Sequence, residues 1–163
     1  MLLQHLGSSY RELGDFDRAR DYYARAIAEH QKRNAVTDIL HVQWSLALTL
    51  MAEQKQREAL AVLREAWRGL AELHMLADGA LVGLKVAEVL LMLDEPAEVP
   101  AICRTLLDQF TRSGMTSPAI SALSYLREAV AMGKATPALV SQIHDFIQDL
   151  PKHPARAFTP PPL

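Results

Sequence analysis

The chain has 163 residues, half of them apolar and 22% charged, a composition that suits one globular domain burying roughly two-thirds of its unfolded surface. Its 17 basic and 19 acidic residues leave a formal net charge of −2. The signs interleave, as in Arg18, Arg20, Asp21, Arg25, Glu29 and Arg33, which excludes the basic stripe that nucleic acid or an anionic membrane surface requires.

The N-terminal stretch "MLLQHLGSS" has no basic leader and no long apolar run, so no secretory signal is legible and a cytoplasmic location is expected. Apolar residues recur at intervals of three and four, most clearly at Leu60, Leu63, Ala66, Trp67, Leu70, Ala71 and Leu73. This period predicts amphipathic helices, and no alternating run predicts a strand. Breakers and caps divide the chain into about eight helices, at 2–13, 16–33, 37–53, 55–74, 78–93, 96–112, 117–132 and 137–150. The first two meet at Gly14-Asp15. The fifth contains the most apolar stretch, "ALVGLKVAEVLLML" from Ala80, but Lys85 and Glu88 interrupt it, and it falls short of the roughly 20 residues of a membrane span. Asp94-Glu95-Pro96 opens the sixth, where Pro100 predicts a kink or a true start near Glu98. Gly114-Met115-Thr116 forms the next joint. Ser117-Pro118 and Thr136-Pro137 each read as an N-cap followed by proline at the first helical position. The last helix puts Leu139, Val140, Ile143, Phe146, Ile147 and Leu150 on one side, as a terminal cap does. The tail "PKHPARAFTPPPL", residues 151–163, holds five of the nine prolines and is expected to be extended and mobile.

Small and large residues repeat at fixed spacing. Gly7, Ala19 and Ala26 align with Ala47, Ala59 and Ala66 forty positions on, and then with Ala87, Val99 and Leu106. Large residues keep the same register at Leu6, Leu46 and Val86, at Tyr10, Leu50 and Leu90, and at Tyr23, Leu63 and Cys103. A small residue lets a neighbouring helix approach, and the large residue a turn away fills the groove so formed. Helix pairs of residues 1–34, 37–74, 77–113 and 116–150 follow, the fourth divergent.

The first pair resembles the tetratricopeptide repeat family, through Leu3, Leu6, Gly7, Tyr10, Gly14, Ala19, Tyr23 and Ala26 in order. The second pair keeps Leu46, Ala47, Leu50, Ala59, Leu63 and Ala66, and the third keeps mainly hydrophobicity. Leu3 stands at the family's tryptophan position, Gln31 at its terminal proline, and the spacing of 40 exceeds the usual 34. The longer spacing is similar to that of bacterial sensor and regulatory arrays of the family. The resemblance implies an all-α, right-handed solenoid whose first helices line a concave, non-catalytic, peptide-binding face.

Mapped through the register, that face takes Gln4, His5, Ser8, Arg11 and Glu12 from the first pair. The second pair gives His41, Trp44, Ser45, Leu48 and Met51, and the third Leu84, Lys85, Glu88 and Leu91. One family subtype clamps a partner's terminal carboxylate with Lys, Asn, Asn, Lys and Arg. Here those positions hold Gln4, Ser8, Ser45, Leu81 and Lys85, and the resemblance does not extend to that function. Each face residue also has a structural reading. Trp44, with Leu40, Ala47, Leu48 and Met51, reads as partly core, and Lys85 with Glu88 reads as a solvated i,i+3 pair. Cys103, at a position for a large side chain, reads as buried.

No nucleophile elbow, P-loop, dinucleotide fingerprint or zinc-protease motif occurs, so no enzymatic activity is expected. His5 and His41 lack the further ligands a metal needs, and neither metal nor cofactor is expected. The expected partner is a protein or peptide. The alternative is an oligomerisation module whose groove takes another protomer or the chain's own tail. The first repeat starts without an N-cap before Leu2-Leu3, which fits either a piece of a longer protein or a first helix pair docked on a second copy.

Overall fold

The computed structural model describes residues 2–112, 114 and 116–163. Among these the chain is all-α, as the period predicts. The helices are α1 (Leu2–Glu12), α2 (Phe16–Lys32), α3 (Val36–Ala52), α4 (Gln56–Glu72), α5 (Leu76–Met92), α6 (Val99–Arg112), α7 (Ser117–Ala131) and α8 (Pro137–Asp149), with a 3-10 turn at Pro96–Glu98 before α6. Pro100 thus falls in the first turn of α6, where its missing N–H has no helical partner to lose. Thr136 caps α8 as expected, its Oγ1 accepting from the Leu139 N–H at 3.2 Å. At α7 the cap is Thr116, one residue before the expected Ser117, and Pro118 takes the second helical position. The expected cap-free start precedes Leu2 and lies outside the described residues.

The helix ends share one device. A left-handed residue stands at Gly14, Asn34, Gln54, His74, Asp94 and Gly114, every twentieth position, and again at Gly133. At Gly14 the turn is closed by Gly14 N–H on the Arg11 carbonyl and Asp15 N–H on the Tyr10 carbonyl, and the same pair of bonds recurs after Asn34, Gln54, Asp94 and Gly133. This is the Schellman arrangement, which satisfies carbonyls left open at a helix C-terminus. Within each unit such turns bring the chain back, so that successive helices pack on one another. Asn34 and Asp94 tolerate the conformation; Gln54 and His74 hold it against a cost of roughly 1–2 kcal/mol.

The chain forms two compact units, Met1–Leu73 and His74–Leu163. In the first, α1 packs on α2, α2 on α3 and α3 on α4, with α1 also touching α3. The core contains Ala19, Tyr23, Ala26 and Val42, flanked by Leu3, Tyr10, Ile27 and Leu46. The small and large positions expected to interdigitate do so: Ala19, Ala47, Ala59 and Ala66 are wholly buried, as are Tyr23 and Leu63. Gly7 shows how close the approach is, since a Cβ there would lie 2.6 Å from the Tyr23 ring.

In the second unit α5 packs on α6, α6 on α7 and α7 on α8, and α8 returns to α5, closing a ring of four helices. α5 is apolar on every side and is buried continuously from Val82 to Leu90. Cys103 on α6 is buried as expected, and burial pushes its thiol pKa up to about 11. No described helix is long and apolar enough to cross a membrane.

Candidate partner-binding face

α1 and α3, the first helices of the first two pairs, are joined side by side by Gln4, whose Nε2 donates to Ser45 Oγ at 3.3 Å. Ser45 in turn donates to the His41 carbonyl at 3.2 Å, and Thr49 donates to the Ser45 carbonyl at 3.0 Å. Behind them the Ser8 and Tyr23 hydroxyls share a hydrogen bond of 3.2 Å that fixes α1 on α2. Gln4, Ser8, Arg11, Trp44, Ser45, Leu48 and Met51 are half-buried, whereas His5, Glu12 and His41 are exposed. Trp44, Leu48 and Met51 follow one another at four and three along α3 and make one apolar strip beside the polar Gln4–Ser45 contact. The end of α3 is tied to α2 by Glu53, whose carboxylate accepts from Arg20 and from Lys55, the latter at 2.7 Å. The Arg20 hydrogen bond, more than any other effect, holds the Glu53 carboxyl below the usual carboxylate range.

Four residues were expected from the third pair, and three of them are buried. Lys85 and Glu88 are each only 8% exposed, and Lys85 Nζ donates to Glu88 Oε2 at 2.6 Å. This corrects both readings of the pair: it is neither solvated nor offered to a partner. Leu84 is buried too, and Leu91 is half-buried. α5 is enclosed between α6 and α8, so a charge on any of its faces is drawn into the interior and must be neutralised there. His144 of α8 is buried close enough to feel both charges. Desolvation lowers its pKa and Lys85 adds to the effect, against the opposing hydrogen bond to the Asp145 carboxylate and the charge of Glu88.

The tail also departs from expectation. It is free of helix and strand throughout residues 151–163, but it is seated on α7 and α8. The Phe158 ring lies 5.7 Å from that of Tyr125 and 5.2 Å, edge-on, from that of Phe146. The Tyr125 hydroxyl donates to the Pro161 carbonyl, and Arg156 pairs with Asp149 at 3.5 Å while lying over the Phe146 ring. Sequence reasoning missed this contact. Its one legible trace was an aromatic residue three positions before a proline within a proline run. A second feature missed is the stack of Tyr10 on Tyr22, 5.3 Å apart, with Arg18 and Arg25 over the two rings.

Among the described residues no three His, Cys, Asp or Glu side chains converge as a metal site requires. Comparison with curated proteins and with solved structures gave no match in either set. Residues 2–32 match the family model described as Tetratricopeptide repeat. Repeats of this family generally mediate protein–protein interaction and are typically non-catalytic. The match spans the α1–α2 pair, in which Gly7 admits the Tyr23 ring and Gly14 turns the chain between the helices. That pair, residues 2–32, is a tetratricopeptide repeat.

Proposed function

We propose that the α1–α3 side of the first unit is a binding surface for a protein or peptide segment and carries no chemistry of its own. The observation behind this reading is the juxtaposition of a half-buried apolar strip, Trp44, Leu48 and Met51, with the amide and hydroxyls of Gln4, Ser8 and Ser45. An extended segment there would desolvate the indole while its backbone took hydrogen bonds from the polar row. Tryptophan is enriched among binding hot spots because it offers a large rigid area at little entropic cost. His5, Arg11, Glu12 and His41 form the polar rim, and Lys85 with Glu88 drops out of the set because it is buried. A scaffold or regulatory sensor in the cytoplasm is the role this surface serves best.

The test is one variant measured twice. Trp44→Ala should weaken partner capture by about 2 kcal/mol or more. It should cost less stability than truncation of a fully buried tryptophan, about 3–5 kcal/mol. Thermal melts and quantitative affinity purification on the same preparation decide the matter. Lost stability with partners retained assigns Trp44 to the core and overturns the proposal.

A further inference from the structure

The tail's burial has a period. Of residues 157–163 only Phe158 and Pro161 are half-buried, and the others are exposed. A left-handed polyproline helix has three residues per turn, so positions 158 and 161 lie on one edge, and Pro160, Pro161 and Pro162 have the fixed φ such a helix needs. The receiving surface is matched to that edge. Tyr125 and Phe146 flank the Phe158 ring, and the Tyr125 hydroxyl meets a carbonyl that no internal bond of a polyproline helix uses. Asp149 lies against Arg156, two residues before the aromatic.

We propose that the α7–α8 face is a receptor for a proline-rich segment of another protein, of the form basic-x-aromatic-x-x-Pro, and that residues 156–163 are its occupant in cis. Phe158 and Pro161 on one edge and the largely exposed Arg156–Asp149 pair hold the strap, so it is readily displaced. Between the strap and α8 lies a cleft of about 710 Å³ lined by Ser141, Gln142, Asp145 and Asp149. The tail leaves this room unfilled, and a longer partner segment would gain contacts in it that the tail does not make. A second copy's tail and a foreign segment pay the same entropic cost of association, but only the longer foreign segment would gain contacts in the cleft to offset it, which favours a foreign segment over exchange between copies.

The experiment uses the full chain and a fluorescein-labelled peptide with the sequence of residues 155–163, followed by fluorescence anisotropy. A tethered tail competes at an effective concentration on the order of 1 mM, so the wild type should bind the peptide weakly and Phe158→Ala, which frees the face, about fivefold or more tightly. Phe158 lies outside the helices, and an unchanged far-ultraviolet circular dichroism spectrum verifies that the fold is kept. Adding Tyr125→Phe removes only the hydroxyl and should weaken the peptide again. A peptide of identical composition with the aromatic moved one position should not bind. Equal affinity for wild type and Phe158→Ala overturns the proposal, as does absence of binding to Phe158→Ala. Sedimentation that shows a wild-type dimer dissolved by Phe158→Ala assigns the tail to exchange between copies and likewise overturns it.

Discussion

Replacing Gly7 by alanine sets two effects of opposite sign against each other. On an exposed helix the change stabilises, by about 1 kcal/mol, because alanine loses less backbone freedom than glycine. In α1 the new Cβ would lie 2.6 Å from Tyr23 Cε1, 2.8 Å from Cδ1 and 3.0 Å from Cζ, so a whole ring edge is struck rather than one movable methyl. Tyr23 is fully buried and its hydroxyl is bonded to Ser8, so the ring has nowhere to swing. Overpacking of this kind costs about 1–3 kcal/mol. Displacing the hydroxyl adds about 1 kcal/mol. Gly7→Ala should therefore destabilise by about 1–3 kcal/mol net. For a unit of this size each kcal/mol lowers the melting temperature by about 4–8 °C. Calorimetry on Gly7→Ala, Tyr23→Leu and the double variant tests the cause, because with the ring gone the alanine should cost nothing further. Gly69→Ala is the milder comparison, since its Cβ would meet a Leu40 methyl at 2.7 Å, the far end of a side chain that can rotate. If Gly7→Ala melts at or above the wild-type temperature, the close approach of α1 to α2 is not what holds the pair.

Ala59→Leu should destabilise by about 1–3 kcal/mol. Ala61→Leu, on the exposed side of the same α4, should leave the melt unchanged, and equal melts for the two would refute the small–large register. Because the folded state lowers the pKa of His144, the unfolded chain binds more protons between that value and the ordinary 6.5. Stability should therefore fall as pH drops below about 6.5, and His144→Leu should flatten that slope in urea titrations at a series of pH values. Leu2 is 74% exposed at the start of α1, beside half-buried Leu3 and Leu6, and this apolar edge should support self-association at tens of micromolar. Sedimentation velocity that finds the wild type and Leu3→Glu equally monomeric would remove that reading.

The helices and the pairing of the first four were legible because both are written in local spacing. An apolar residue every three or four positions fixes the buried stripe. A small residue at Gly7, Ala19, Ala47, Ala59 or Ala66 marks where a neighbour comes near. The turns were half legible: glycine signals a left-handed position at Gly14 and Gly114, but His74 and Gln54 adopt it without glycine, Gln54 carried by the pair of bonds that closes its helix end. The α1–α3 residues were placed through the same spacing, and Gln4 does meet Ser45 across the two helices.

Where reasoning from spacing stopped, burial had to come from packing. Lys85 and Glu88 read as a solvated pair because charge three residues apart on a helix is ordinarily exposed. The apolar character of α5 on every side signals burial, but nothing within α5 says that α8 returns to cover it together with α6. Likewise a proline run reads as free chain because it lacks internal hydrogen bonds, yet Tyr125 and Phe146, from two other helices, supply the surface on which Phe158 and Pro161 rest. The sequence by itself determined the helices and their joints, which depend on residues within one or two turns of each other, and the interlocking of the first pairs, whose small and large positions recur at fixed spacing. The closed ring of α5 to α8, the burial of the ion pair and the seated tail depend on groups far apart in the chain, at least 45 positions between Met92 of α5 and Pro137 of α8 and 36 between Tyr125 and Pro161, and only the tertiary structure brings such groups into contact.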